Sequence, residues 1–160
     1  MKIGIISDTH DNVENILFAV KAFQKRDVSL VLHCGDIVAP KTIEFFNGIV
    51  LKMVRGNCDR DIEAFKTKLA EIGGEYLGEQ AEIILDGKKL FIYHGTDKQK
   101  LDKFISSGKY RYVLSGHTHL LTDEMLGKTR LLNPGAHYYG GSETIMVLDT
   151  IKDKVEVIKL

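Results

Sequence analysis

The chain has 160 residues, which suits one globular domain with a buried core and is short for two. Its hydrophobic fraction of 44% and charged fraction of 28% exclude an intrinsically disordered chain. Basic and acidic residues number 22 each, so the net charge does not indicate a nucleic-acid wrapper or a binder of acidic membranes. We therefore expect a single domain over residues 1–160.

The first half of the chain alternates short apolar runs with amphipathic helical patterns. Residues 3–6 predict a buried strand, and a helix follows in which Asp11 is the expected N-cap, with Glu14 three residues later. The apolar face of this helix is expected to contain Val13, Ile16, Leu17, Val20 and Phe23. Strands are predicted at residues 30–32 and 49–54, and a second amphipathic helix at residues 62–72 ends at Gly73 and Gly74. The pattern of this half is βαβαβα.

The second half of the chain is mostly β. Asp86 and Gly87 separate two apolar runs, at residues 83–85 and 90–93, and this dipeptide favours a hairpin turn. A short helix around Leu101 is expected to end before Gly108. Further strands are predicted at residues 112–114, 122–126, 130–132, 144–148 and 154–158. We expect an α/β fold of two packed mixed sheets, with helices on the outer faces.

Neither a membrane anchor nor a disulfide framework is expected from the sequence. The apolar run near the N-terminus is too short for a signal peptide or a transmembrane helix, and no later run reaches that length. The two cysteines, Cys34 and Cys58, lack the spacing of a zinc-binding pair. We expect a cytoplasmic protein with both thiols reduced. Cys34 is expected to pack as a small side chain.

Aspartate, asparagine and histidine side chains follow the ends of five predicted strands. Because the carboxyl ends of strands in an α/β sheet converge on one crevice, these side chains are expected to lie together. Carboxylate, amide and imidazole groups form the ligand set of divalent ions such as Mn, Fe, Ni or Zn. Seven candidates are too many for one tetrahedral zinc, whereas two metals that share a carboxylate would use all of them. The candidates are Asp8, His10, Asp36, Asn57, His94, His117 and His119.

These motifs resemble the calcineurin-like metallophosphoesterase family, and the match extends over nearly the whole chain. The motifs are Asp8-x-His10, Gly35-Asp36, Gly56-Asn57-x-Asp59, His94 and Gly116-His117-x-His119. The short length is similar to that of the small bacterial and archaeal phosphodiesterase branch. The resemblance implies a four-layer α/β/β/α sandwich with a binuclear metal centre at the sheet edge.

The resemblance also implies a role for each candidate. Asp8, His10 and His119 would hold one metal, and Asn57, His94 and His117 the other. Asp36 would bridge them, and an anionic carboxylate suits a position between two cations. The expected catalytic residues are Asp36, Asn57, His94 and His117, in a hydrolysis by a metal-bridging hydroxide.

Several neighbouring residues have two interpretations at this stage. Asp59 could be the N-cap of the second helix, a partner that orients a metal-bound histidine, or both at once. Cys58 stands where many family members have a histidine that assists the leaving group, and it is otherwise a small filler. His33 is expected to support the site or the core without binding metal. His137 could touch substrate, although an exposed position is favoured, and Tyr138 and Tyr139 could line the site or an oligomer contact.

Three functions fit the motifs. The first is a phosphodiesterase with two divalent ions, Mn, Ni, Fe or Zn, that acts on a small phosphodiester. The second is a phosphomonoesterase or nucleotidase with the same centre. The third is a non-catalytic interaction scaffold like the retromer subunit of this fold, against which the complete ligand set argues. Nucleic acid is expected only as a substrate, no membrane partner is expected, and a homodimer or homotetramer is possible in this family.

Overall fold

The computed structural model describes residues 1–137 and 141–160; Tyr138 and Tyr139 lie outside this part of the chain. The helices are α1 (Val13–Gln24), α2 (Ile62–Glu71) and α3 (Lys98–Ser106), with a 3₁₀ helix at Pro40–Phe46. The first strands are β1 (Lys2–Ile6), β2 (Leu30–His33), β3 (Leu51–Met53), β4 (Glu75–Tyr76), β5 (Gln80–Leu85) and β6 (Lys88–Tyr93). The others are β7 (Tyr112–Leu114), β8 (Leu121–Leu126), β9 (Thr129–Pro134), β10 (Thr144–Asp149) and β11 (Lys154–Lys159).

The strands form two mixed sheets. The first has six strands in the order β11-β10-β1-β2-β3-β4, and β1 to β4 run parallel within it. The second has five strands in the order β5-β6-β7-β9-β8, with β6, β7 and β9 parallel. The parallel strands of both sheets place their carboxyl ends at one edge of the sandwich, which is where the candidate ligands follow them.

Three apolar clusters define four layers. One cluster packs α1, α2 and the 3₁₀ helix against the first sheet, and a second fills the space between the sheets. The third packs α3 against the outer face of the second sheet. The predicted α/β/β/α sandwich is therefore confirmed. Close packing of the first layer depends on Gly4, because a Cβ there would lie 2.6 Å from the Phe23 ring.

Most predicted elements are present, and two details differ. The N-cap of α1 is Asn12, whose side chain accepts a hydrogen bond from the Asn15 N–H, so the prediction of Asp11 was wrong. Asp11 instead accepts hydrogen bonds from the Ala39 N–H and the Thr42 hydroxyl. Leu17 is 42% exposed, outside the buried face of α1. Within the described residues, no helix is both long and apolar enough to cross a membrane.

Candidate metal centre

The seven candidate ligands meet at the common edge of the two sheets. Asp8 and His10 follow β1, Asp36 follows β2 and Asn57 follows β3, all in the first sheet. His94 follows β6, and His117 and His119 follow β7, in the second sheet. The buried members are Asp8, Asp36 and His94, whereas Asn57 and His117 are exposed at the mouth of the site. The centre therefore has a buried anionic floor and an open rim.

The first group of donor atoms surrounds the Asp8 carboxylate. His119 Nε2 lies 3.3 Å and His10 Nε2 4.0 Å from Asp8 Oδ1. These three residues form a group whose ligand atoms lie within 4.8 Å of one another. Ligands about 2.1 Å from one ion lie roughly 3–4 Å apart, so these separations suit donors that share a cation. The other carboxylate oxygen of Asp8 accepts a hydrogen bond from the Ser7 hydroxyl, which fixes the orientation of the group.

The second group surrounds Asn57 Oδ1. His94 Nε2 and His117 Nδ1 each lie 3.1 Å from this oxygen, and His94 Nε2 lies 3.4 Å from Asp36 Oδ2. His94 Nδ1 lies 2.8 Å from the Cys34 carbonyl, which can only accept, so Nδ1 carries the proton. In the neutral ring, Nε2 is then an acceptor that faces two acceptor oxygens. A divalent cation among the three would satisfy all of them, so these residues fit a metal ion.

Asp36 lies between the two groups. Its Oδ2 is 3.8 Å from His10 Nε2 and 3.4 Å from His94 Nε2, while its Oδ1 accepts a hydrogen bond from the Cys58 N–H. The ligand-atom groupings also place Asp8 with Asp36 and His94, so both carboxylates lie close to both groups. Asp36 Oδ2 has the geometry expected of a shared ligand.

The pKa values of the buried groups are shifted by burial and by these neighbours. Burial raises the pKa of Asp8 above the ordinary value of an aspartate, although His94 and Ser7 oppose the shift. Burial acts in the same direction on Asp36, but hydrogen bonds and the charge of His94 outweigh it, and its pKa is lowered. For His94, burial is outweighed by the Asp36 and Asp8 carboxylates, which raise its pKa. The carboxylates therefore favour positive charge beside them.

Backbone conformation is a feature of the site that the sequence did not reveal. Five of the seven candidates have a positive φ, between 41° and 66°: Asp8, His10, Asp36, His117 and His119. This region is uncommon for residues other than glycine, and such strain is concentrated at functional sites. Two glycines allow the candidate ligands to approach the neighbouring backbone closely. A Cβ on Gly56 would lie 2.0 Å from Asp36 Oδ1, and one on Gly116 would lie 2.4 Å from Asp8 Oδ2.

Asp59 joins the loops that carry Asp36 and Asn57. It is fully buried, and its carboxylate accepts hydrogen bonds of 2.8–2.9 Å from four backbone N–H groups. The donors are those of Asp36, Ile37, Val38 and Gly56. The N-cap of α2 is Asp61, so the N-cap interpretation of Asp59 was wrong. These four hydrogen bonds come from the backbone and not from a histidine ring.

The other singled-out residues also have defined places. Cys34 is buried in the core between the sheets. Cys58 is partly exposed, and its partial burial together with a hydrogen bond to Asp36 raises the pKa of its thiol to about 11. His137 is buried, so the expectation of an exposed side chain was wrong; its ring Nε2–H donates to the Thr144 carbonyl. The Asn133 amide donates to Gly116 O and positions the loop before His117.

His33 links the loops after β1 and β2 without reaching the donor groups. Its Nδ1 accepts a hydrogen bond from the Gly35 N–H, so Nε2 carries the proton and donates to Thr9 Oγ1. Full burial, with lesser contributions from nearby histidines, lowers the pKa of His33 to about 3. The ring is thus held neutral between two loops that present candidate ligands.

We expect His33 to make the fold less stable as the pH falls. The unfolded chain takes up this proton below about pH 6.5 and the folded chain only near pH 3, so the unfolded state gains the proton first. The loss is about 2 kcal/mol at pH 5. Urea unfolding in excess chelator at pH 7.5 and pH 5 should show His33→Gln losing about 2 kcal/mol less than the wild type. Equal losses in both proteins would contradict a neutral buried His33.

Comparisons with known proteins agree with the site. The profile of the calcineurin-like phosphoesterase superfamily domain matches residues 1–153. A phosphodiesterase of Methanocaldococcus jannaschii is 36% identical over 100% of this chain and 99% of its own length. The solved structure of an archaeal phosphodiesterase superposes with a TM-score of 0.94, at 36% identity and full coverage of both chains.

A more distant structure shares the fold alone. Vps29 of Entamoeba histolytica, solved in complex with zinc, has a TM-score of 0.70 at 17% identity, covering 100% of this chain and 98% of its own. At this identity the likeness extends to the architecture and not to the activity.

Proposed function

The chain belongs to the calcineurin-like phosphoesterase superfamily and is a metallophosphoesterase, and we propose that it hydrolyses phosphodiesters at a binuclear metal centre. Asp8, His10 and His119 would hold one ion, Asn57, His94 and His117 the other, and Asp36 both. The observation that carries the proposal is the convergence of three acceptors, because Asn57 Oδ1 and Asp36 Oδ2 lie 3.1 Å and 3.4 Å from His94 Nε2. We propose Mn, Ni, Fe or Zn as the ions.

Divalent ions at this centre would activate water and offset the charge that develops on the phosphate oxygens. The residues of the chain arrange the conditions for that chemistry. The carboxylates of Asp8 and Asp36 are buried and would hold the ions at the floor of the site. Asn57 would add a ligand oxygen without charge, which would leave the centre positive toward a phosphate. Asn57 and His117 are exposed at the rim and lie nearest to an approaching substrate.

Two observations favour a diester over a monoester. The relative that is 36% identical over the full length is a phosphodiesterase. In addition, two clefts flank Asn57, one beside Arg55 and Tyr93 and the other beside Val38 and Arg60, so the centre has space for an ester group on each side. Cytoplasmic location, oligomeric state and the single-domain boundaries stay predictions.

The proposal is tested by metal-dependent turnover. We expect metal-stripped protein to recover hydrolysis of bis(p-nitrophenyl) phosphate with Mn, Ni, Fe or Zn, and to act less on p-nitrophenyl phosphate. The control is the Asn57→Ala, His94→Ala double variant, which detects contaminating activity. Preference for the monoester would contradict the diester assignment, and lack of turnover with every metal would contradict catalysis at this site.

A further inference from the structure

The cleft beside Arg55 adjoins the metal centre but contributes no candidate ligand except Asn57, which forms its boundary. It has a volume of about 200 Å³ and is lined by Arg55, Gly56, Asn57, Glu79, Tyr93 and Thr96. Pockets that enclose a whole small-molecule ligand measure roughly 300–1,000 Å³, so this cleft suits one part of a substrate. A phosphate at the centre would place one of its ester groups here.

Arg55 is held in place at the wall of this cleft. Its Nε–H donates to the Asp59 carbonyl at 3.0 Å, and its backbone N–H donates to Gly78 O at 2.9 Å. One terminal nitrogen, Nη1, lies 3.8 Å from the Glu79 carboxylate. An arginine anchored through Nε presents its terminal N–H groups in a fixed plane, which favours directional hydrogen bonds to a ligand. Asp59 thus connects Arg55 with the loops of the metal centre.

The rest of the cleft lining supplies hydroxyl groups and an acceptor. The Tyr93 hydroxyl accepts a hydrogen bond from the Asp97 N–H at 3.0 Å, which fixes the phenol, and Thr96 is exposed beside it. Glu79 is 71% exposed, so its carboxylate is accessible to a ligand. The lining therefore combines fixed donors with one carboxylate acceptor.

The charge of the lining selects among ester groups. Arg55 and Glu79 are its two charged residues, one of each sign. A second phosphate in this cleft would be repelled by the Glu79 carboxylate. An alkyl or aryl group would displace water from the side chains of Arg55 and Glu79 without replacing the hydrogen bonds that the water makes. A neutral group with several hydroxyls, by contrast, donates to Glu79 and accepts from Arg55.

We propose that the Arg55 cleft binds a neutral, hydroxyl-bearing ester group of the substrate, such as a ribose, with Arg55 and Glu79 as its hydrogen-bonding partners. The inference rests on the proposed phosphodiesterase function and narrows its substrate class to diesters of sugars or comparable polyols. The second cleft, of about 570 Å³ beside Val38 and Arg60, is then left for the other ester group.

The test compares two diesters with the same leaving group. Thymidine 5′-(p-nitrophenyl phosphate) carries a deoxyribose hydroxyl, and ethyl p-nitrophenyl phosphate carries none. We expect the wild type to show a kcat/KM about tenfold higher for the nucleoside ester, because a hydrogen bond to a charged group contributes roughly that factor. Arg55→Met should lower this ratio about tenfold, mainly through KM, and Glu79→Gln should lower it by a smaller factor.

Matched controls separate binding from loss of structure. Arg26→Met removes an arginine that pairs with Glu156 far from the clefts, and it should leave the ratio and both rates unchanged. Equal loss on both esters in Arg55→Met would indicate a displaced Asp59 loop and would overturn the inference, as would a wild-type ratio near one. If Arg55→Met hydrolyses both esters with the same ratio of kcat/KM values as the wild type, the inference about the cleft is overturned and the proposed phosphodiesterase function is not. Failure of the wild type to hydrolyse either ester with any metal overturns the proposed function as well.

Discussion

Replacing Asp36 by alanine is expected to abolish metal binding at both groups of donors and to lower kcat/KM on a diester by at least about 10³-fold. The reason is geometric: Asp36 Oδ2 lies 3.8 Å from His10 Nε2 and 3.4 Å from His94 Nε2, so in the proposed centre one oxygen would serve both groups. Its loss also leaves the remaining carboxylate, Asp8, alone among several imidazoles. Metal content after dialysis and steady-state rates are the measurements.

Two further variants make the Asp36 result interpretable. Asp36→Asn retains the shape of the side chain and an acceptor for the Cys58 N–H, so it separates charge from packing. Asp153→Asn changes a carboxylate that contacts Arg111 and Tyr112 away from the centre, and it should retain metals and rate. Two tightly held ions in Asp36→Ala would contradict the shared-ligand assignment.

Replacing Asp59 by alanine should destabilise the fold by about 3–5 kcal/mol, although Asp59 is not a proposed ligand. The substitution leaves four backbone N–H groups without their carboxylate acceptor in a fully buried position. Two of them belong to Asp36 and Gly56, so metal affinity should fall together with the free energy of unfolding. Urea unfolding in chelator isolates the effect on the fold.

The neighbouring Asp61 offers a matched control. Asp61 caps α2 through a single hydrogen bond to the Ala64 N–H, and Asp61→Ala should cost about 1 kcal/mol without changing metal affinity. Comparable losses in the two variants would contradict the larger contribution expected from the four hydrogen bonds of Asp59.

The sequence predicted the layers from its apolar runs and helical patterns, and it predicted from the strand ends that the seven candidate ligands lie together. Apolar runs mark the strands, and the residues after β1, β2, β3, β6 and β7 share one edge once parallel pairing is assumed. Local patterns carried less information where the decisive contact is tertiary. Asp11 has a side chain suited to an N-cap, but its Oδ1 accepts hydrogen bonds from the Ala39 N–H and the Thr42 hydroxyl. Asn12 is therefore the N-cap of α1.

The positive φ angles and the role of Asp59 could not be predicted for a similar reason. A left-handed residue is recognisable in a sequence when it is glycine, whereas here the surrounding loops impose that conformation on aspartates and histidines. The four donors to Asp59 come from residues up to 23 positions away, and no spacing rule connects them. The 3₁₀ helix at Pro40–Phe46 also lacks the 3.6-residue period by which helices are recognised.

The most direct test of the binuclear centre is anomalous diffraction from crystals of the protein loaded with Mn²⁺. We predict two peaks about 3.5–4 Å apart. One should lie among Asp8, His10 and His119, the other among Asn57, His94 and His117, and both within bonding distance of Asp36. A single peak, or two peaks without Asp36 between them, would contradict the proposed centre.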